Sequence, residues 1–222
     1  MSNPRTFDIL VAGGGMIGSA LALGLSRQGW QVGLVEGADH EALVRAPDPA
    51  STVADFEPRV SALSVASQKL LEQLGVWSEI TSGRNCPYQT MTVWDGDGTG
   101  RIQFEAAELQ AKALGTIVEN RGVVRALFKA LEHSSVELME GAKITGCQQR
   151  HGRFQVELED GATVSAELLV GCDGANSRLR QWVGLPTREW DYDQQAIVCT
   201  ARIEKSHQYT AWQRFMSTGP VA

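Results

Sequence analysis

Residues 7–36, FDILVAGGGMIGSALALGLSRQGWQVGLVE, leave the chain few ways to fold. Residues 9–12 form an apolar run too short for a helix, and it halts at Gly13-Gly14-Gly15. Ala20, Leu21, Ala22, Leu23 and Leu25 then fill a helical span that closes at Gly29. Val32, Leu34 and Val35 make a second short run, ended by Glu36. Strand, glycine turn, helix, strand and acid, in that order, fit the dinucleotide fingerprint G-x-G-x-x-G in its proper context. Gly13 permits the sharp turn out of the strand, Gly15 lets a diphosphate approach bare backbone, and Gly18 lets the helix lie close to the sheet. The helix N-terminus offers unpaired N–H groups and a partial positive charge. Glu36 can accept hydrogen bonds from an adenosine ribose and would repel a 2′-phosphate, which disfavours NADP at this site. The motif does not separate FAD from NAD, and the plain alternative is a glycine-rich turn that binds nothing.

The 222 residues suit one large domain or two small ones, and a 43% apolar content can build a core. A net charge of −6 argues against nucleic acid as a partner, since phosphate binding needs a basic face. Cys86, Cys147, Cys172 and Cys199 show no C-x-x-C spacing and no grouping with histidine, so reduced thiols are expected rather than metal ligands or disulfides. No apolar run approaches 18 residues and no signal peptide precedes the first strand, so a soluble cytoplasmic protein is expected, with peripheral membrane contact left open.

Further along, residues 37–56, with Pro47 and Pro49, read as a surface loop. Residues 57–64 suggest a buried segment through Val60, Ala62 and Leu63, with Arg59 at its start. A short helix follows, with Leu70, Leu71 and Leu74 on one side and Gly75 as its stop; Trp77 and Ile80 are expected to pack beneath. Residues 88–104 read as a hairpin turning at Asp95-Gly96-Asp97-Gly98, with Trp94 in ordinary sheet packing. Val124, Leu127, Phe128 and Leu131 give the stripe of a helix that Asn120 could cap. Short strands are expected at 136–139 and 144–147. Phe154, Val156 and Leu158 alternate, Asp160-Gly161 turns the chain, and Val164, Ala166 and Leu168 alternate back. The run Leu168-Leu169-Val170 reads as a strand entering a doubly covered sheet, and Asp173 follows it before a glycine and a short helix, where open α/β sheets bind ligands. Residues 196–203 and 212–215 are strand candidates. His40, His133, His151 and His207 sit in polar surroundings and read as solvated rather than catalytic.

GGGMIG with Glu36, then PRVSALS, then GCDGANSRLR resemble the FAD-dependent aromatic hydroxylases, the para-hydroxybenzoate hydroxylase-like family. LGVW, VWDGDGTGRIQFEAAEL, VEN and TAWQRFMSTGP are similar to its ubiquinone-biosynthesis branch, most of all to members acting on a demethoxy-ubiquinol. The resemblance implies an α/β fold: a Rossmann-like FAD-binding domain, a parallel sheet with inserted β-hairpins, over 1–80 and 105–185. Residues 81–104 and 186–222 would be strands of a sheet-rich substrate domain. It implies FAD as cofactor and NAD(P)H as reductant. The reaction would place one oxygen atom of O2 on the ring of a prenylated quinone precursor, beside a membrane or within a multi-enzyme assembly. Arg59 matches the family arginine that reaches the FAD phosphates and ribose, a task suited to a guanidinium fork; a surface salt bridge with Glu57 or Asp55 is the alternative. Asn120 matches a polar position near the ribityl chain and diphosphate, with helix capping as the alternative. Asp173 matches the acid of the DG motif, which touches the FAD ribose and helps the nicotinamide donor reach the flavin, with a helix-terminal charge as the alternative. Arg178 and Arg180 read as exposed helix arginines that could assist a donor phosphate. The family's later GD motif is absent, so the expectation is a chain that holds the adenine half of FAD at best and is inactive alone. The competing readings are a non-catalytic dinucleotide-binding subunit, or another FAD- or NAD-linked oxidoreductase.

Overall fold

The opening apolar run becomes strand β1 (Arg5–Ala12), which turns through the glycines into α1 (Met16–Ser26) and returns as β2 (Val32–Val35). Gly29, at φ +90°, ends the α1 turn, and Trp30 N donates to Leu25 O across it. After α2 (His40–Val44) the chain forms β3 (Val60–Ser64), α3 (Val65–Gln73), α4 (Trp77–Ser82), β4 (Asn85–Tyr88), β5 (Thr90–Asp95), β6 (Arg101–Glu105) and β7 (Gly115–Glu119). Helix α5 (Asn120–Glu132) leads to β8 (Glu137–Met139), β9 (Ile144–Arg150), β10 (Arg153–Leu158) and β11 (Thr163–Gly171), and then come α6 (Arg178–Trp182), β12 (Thr210–Met216) and β13 (Gly219–Val221). This is a computed structural model that describes residues 5–45 and 52–222; the expected turn at Pro47 and Pro49 and the side chain of His40 lie outside them.

Two compact units arise, 1–47 with 123–197 and 48–122 with 198–222. The first holds a six-stranded sheet in the order β8-β2-β1-β11-β10-β9. Its β8, β2, β1 and β11 are parallel, and β10 and β9 extend it as antiparallel hairpin strands. Phe7, Leu10, Val156, Val164 and Ala166 gather into one buried cluster with Val35 and Met139. On α5, Leu127, Phe128 and Leu131 are fully buried, as the stripe requires, and each such side chain contributes roughly 1.5–3 kcal/mol. Among the described residues no helix is long and apolar enough to cross a membrane.

The second unit holds two sheets, β3-β7-β4 and β13-β12-β5-β6. β5 and β6 form the expected hairpin, and Trp94 packs edge-on against Trp212 at 6.1 Å. Residues 52–80 and 105–122 fall in the second unit, where β3 and β4 both pair with β7.

Several local expectations are corrected. The stretch 37–56 is not loop throughout, since α2 and a one-turn 3-10 helix at Val53–Asp55 interrupt it. Val60 is 51% exposed, because β3 is an edge strand paired on one side only. Leu70 points outward at 52% exposure while Leu71 and Leu74 are buried: the three share an arc of about 100°, and Leu70 lies at its solvent edge. Leu168 is 50% exposed, since α1 packs chiefly over β2 and β1 and leaves that face of β11 open. Residues 196–203 form no strand, and Ile197 is 94% exposed; β-branched composition makes a strand only where a neighbour offers a ladder.

Candidate functional site

The parallel strands β1, β2 and β11 end together, and their C-terminal ends open into a cleft of about 410 Å³. Gly13, Gly15, Glu36 and Asp173 line it. Two of the glycines are fixed by sterics. Gly13 holds φ +100°, and a Cβ there would sit 2.4 Å from Cys172 O. A Cβ on Gly18 would fall 1.9 Å from Gly13 O. Gly15 is different, since nothing lies within 4 Å of where its Cβ would stand. It is the N-cap of α1 with no side-chain cap and no acid in the first turn, so the first amides of the helix are left for an anion.

Glu36 is held in place from both sides. Its Oε2 accepts from Gly14 N at 2.6 Å and its Oε1 from Ala38 N at 2.8 Å. The carboxylate therefore pins the glycine turn to the end of β2 as well as facing the cleft. Asp173 uses only one oxygen: Oδ2 accepts from Arg178 N at 2.8 Å and Leu179 N at 3.3 Å, while Oδ1 is buried with no partner. Burial alone would raise its pKa, but hydrogen bonds from the Ser177 hydroxyl and from the Leu179 and Arg178 amides outweigh it and hold the carboxyl below its ordinary range. The helix-terminal charge is thus carried by Oδ2, while Oδ1 stays buried. Burial, with the Asp173 charge beside it, pushes the Cys172 thiol up, the direction that disfavours a thiolate.

A folded-state carboxyl held below its unfolded value stabilises the fold above the unfolded value and loses that contribution as pH falls through the folded one. Asp173→Asn should therefore flatten the acid limb of the stability–pH profile. Denaturation midpoints between pH 7 and acid would show it, and a variant whose acid limb still parallels the parent's would remove the assignment.

The cleft also gathers Lys143, Arg178 and Trp182, which no sequence motif brought to it. The chain crosses from β8 to β9 over the strand ends, Ala142 N donating to Glu36 O, and this carries Lys143 in.

Arg59 and Asn120 belong to the other unit. Arg59 is exposed, and among the described residues its guanidinium has no ion-pair partner; Glu57, the expected alternative, pairs instead with Arg121. Glu119 is taken by Arg84 through two hydrogen bonds of 2.7 and 2.9 Å, so neither acid neutralises Arg59. Asn120 counts as the first residue of α5 rather than its cap, its N donates to Arg59 O at 3.0 Å, and its Oδ1 accepts from Ser61 Oγ at 2.6 Å. His133, His151 and His207 are exposed, and no group of His, Cys, Asp and Glu suited to a metal occurs among the described residues.

A parallel sheet with a bare helix N-terminus at its first crossover and an acid closing the second strand defines a dinucleotide-binding α/β protein. The chain belongs to the FAD binding domain family, which matches residues 6–213. It is 37% identical over 225 residues to 3-demethoxyubiquinol 3-hydroxylase of Escherichia coli (strain K12), covering 100% of this chain and 55% of that protein. It is also 37% identical over 236 residues to the mitochondrial ubiquinone biosynthesis monooxygenase COQ6 of Danio rerio, covering 100% of this chain and 47% of the relative. The chain thus spans about half the length of the curated relatives it matches. Among solved structures, Pseudomonas aeruginosa PqsL in complex with 2-aminobenzoylacetate superposes with a TM-score of 0.68 at 24% identity, over 85% of this chain and 48% of that one, a likeness of fold.

Cradle and cofactor fit each other. Gly15 leaves room for a diphosphate, the α1 amides are uncapped, and the carboxylates Glu36 and Asp173 line the same cleft.

Proposed function

We propose that this chain is the FAD-binding part of an aromatic-ring monooxygenase of ubiquinone biosynthesis, which hydroxylates a prenylated phenol or quinol with O2 and NAD(P)H. The observation that carries the reading is the cleft, in which Gly15, Glu36 and Asp173 converge at the strand ends of a chain 37% identical to a demethoxyubiquinol hydroxylase. When bound, the flavin supplies hydride acceptance and oxygen activation. The chain's own residues bind and orient it. Gly15 and the first amides of α1 take the diphosphate, and Gly13 and Gly18 hold that turn in shape. Glu36 and Asp173 accept from ribose hydroxyls. Arg59 and Asn120 join the set of FAD ligands on the strength of the PRVSALS and VEN motifs that contain them. A prenyl-tailed substrate partitions into lipid, which favours work beside a membrane or within an assembly of pathway enzymes.

The test is whether the full-length protein that contains this chain carries FAD and couples NAD(P)H oxidation to hydroxylation of a prenylated phenol. A full-length protein that is colourless and takes up no FAD from excess, or that binds NAD in its place, would end the proposal. Arg59→Ala should lower FAD affinity about tenfold, in line with the ~1.5–3 kcal/mol of a hydrogen bond to a charged group. Equilibrium dialysis measures it, and unchanged affinity would take Arg59 out of the site.

A further inference from the structure

In the sheet β3-β7-β4, the outer strands flank β7, with Val60 opposite Glu119 and Asn85 opposite Val118. Arg84 stands just before β4 and meets Glu119, the last residue of β7. Its Nε donates to Glu119 Oε1 at 2.7 Å and its Nη2 to Oε2 at 2.9 Å. The same Nη2 donates to Asp55 O at 3.2 Å, and Cζ lies 4.9 Å from the Phe56 ring centroid. The guanidinium therefore reaches across the end of β7, from one flanking strand to the segment that feeds the other. A planar fork suits that span; a lysine ammonium has no such fixed geometry.

That segment, residues 56–59, belongs to no helix or strand. The β3–β7 ladder stops at Val60↔Glu119, so Arg59 is the first residue beyond it. Two backbone bonds tie it down: Asn120 N donates to Arg59 O at 3.0 Å, and Arg59 N donates to Glu57 Oε1 at 3.3 Å. Glu57 is held in turn, its N donating to Glu119 Oε1 at 3.2 Å while its Oε2 accepts from Arg121 Nη2. Glu119 is the hub of this network, and only 13% of its side chain is exposed, so its carboxylate depends on the Arg84 cation. With Arg84 on Glu119 and Arg121 on Glu57, both acids are taken and Arg59 keeps its own charge for other use.

We propose that Arg84 is the positioning residue for Arg59: through Glu119 and Asp55 O it holds residues 55–59 against the end of β7, and so fixes the point from which the Arg59 guanidinium reaches a flavin nucleotide. The proposal rests on the reading of Arg59 as an FAD ligand and adds to it a residue that acts only through another. Without Arg84, Asp55 O loses its donor and Glu119 is left a nearly buried carboxylate with no cation. Glu119 then turns toward water, and Glu57 N loses the acceptor that orders the segment. Arg59 samples more positions, and binding has to order it first, which weakens affinity.

The experiment compares Arg84→Met, Arg59→Ala and the double variant in the full-length protein that contains this chain. Amide hydrogen exchange is followed in flavin-free protein. Arg84→Met should speed exchange of the Glu57 and Arg59 amides about tenfold and leave β1 and β11 unmoved, the mark of local release rather than unfolding. FAD affinity by equilibrium dialysis should fall about fivefold in Arg84→Met, and in the double variant no further than in Arg59→Ala, because nothing is left for Arg84 to act through. A residue that merely supports the fold would give losses that multiply. Arg84→Met combined with Glu119→Leu leaves no buried carboxylate unpaired, so it stands in if Arg84→Met alone fails to fold, and it should show the same loss of about fivefold. The proposal is overturned if the losses multiply, or if the Glu57 and Arg59 amides of Arg84→Met exchange at parent rates. FAD affinity unmoved by Arg59→Ala overturns the reading of Arg59 and this proposal with it. A loss of about tenfold in Arg59→Ala beside parent-like binding in Arg84→Met overturns this proposal alone.

Discussion

Gly13→Ala is expected to cost the first unit its fold, with a loss of unfolding free energy on the order of 4 kcal/mol. Two penalties act at one atom. The backbone stands at φ +100°, a conformation that costs a residue with a Cβ roughly 1–2 kcal/mol. The new Cβ would also meet Cys172 O at 2.4 Å and Cys172 C at 2.6 Å, and both belong to backbone. That backbone cannot retreat cheaply, because Cys172 N donates to Ala12 O at 2.7 Å and Gly13 N to Val35 O at 2.8 Å, joining three parallel strands at their ends. Relief would have to come from parting β1 from β11, the pairing that runs from Arg5↔Val164 to Ala12↔Gly171. Chemical denaturation measures the loss. A midpoint within error of the parent's would show that the turn is softer than its contacts imply.

The first crossover was legible because its whole argument is local. Residues 7–36 carry the strand, the turn, the helix and the acid in one stretch, so spacing alone brings Gly13, Gly15, Gly18 and Glu36 to one place. Asp173 was legible for a related reason: a long apolar strand followed by an acid and a glycine marks a strand end wherever the strand sits in the sheet. Lys143 and Trp182 were not legible in this way. They reach the cleft because the chain passes over the strand ends between β8 and β9, and because α6 packs against β9, neither of which is a periodicity. Arg178 looked like a solvated helix arginine, and it is exposed; its contact with Trp182, four residues on, is the i, i+4 pairing of any helix and acquires meaning only from the cleft beside it. The failures share one cause. Val60, Leu168 and residues 196–203 all carry apolar or β-branched character, and composition cannot say whether a neighbour covers the face or pairs the edge.

Gly15→Val should separate binding from folding more sharply than any other change in the crossover. The residue has φ −65° and ψ −175°, extended backbone that valine favours, and no atom lies within 4 Å of the position its Cβ would take. Stability should therefore change by no more than about 0.5 kcal/mol, the ordinary scale for a surface substitution. Yet the space that is empty of protein is the approach to the first amides of α1, which are uncapped and face the same cleft as Glu36 and Asp173. Two branched methyl groups there would stand between a diphosphate and the uncapped amides of α1, and each charge-assisted hydrogen bond lost costs ~1.5–3 kcal/mol. FAD affinity should fall at least about a hundredfold, the equivalent of ~2.7 kcal/mol, with denaturation midpoints unmoved. A valine variant that binds as the parent does would put the diphosphate elsewhere, and with it the orientation assigned to Glu36. If binding and stability instead fell together, Gly15 would be holding the turn's shape, as Gly13 and Gly18 do, rather than leaving room for a ligand.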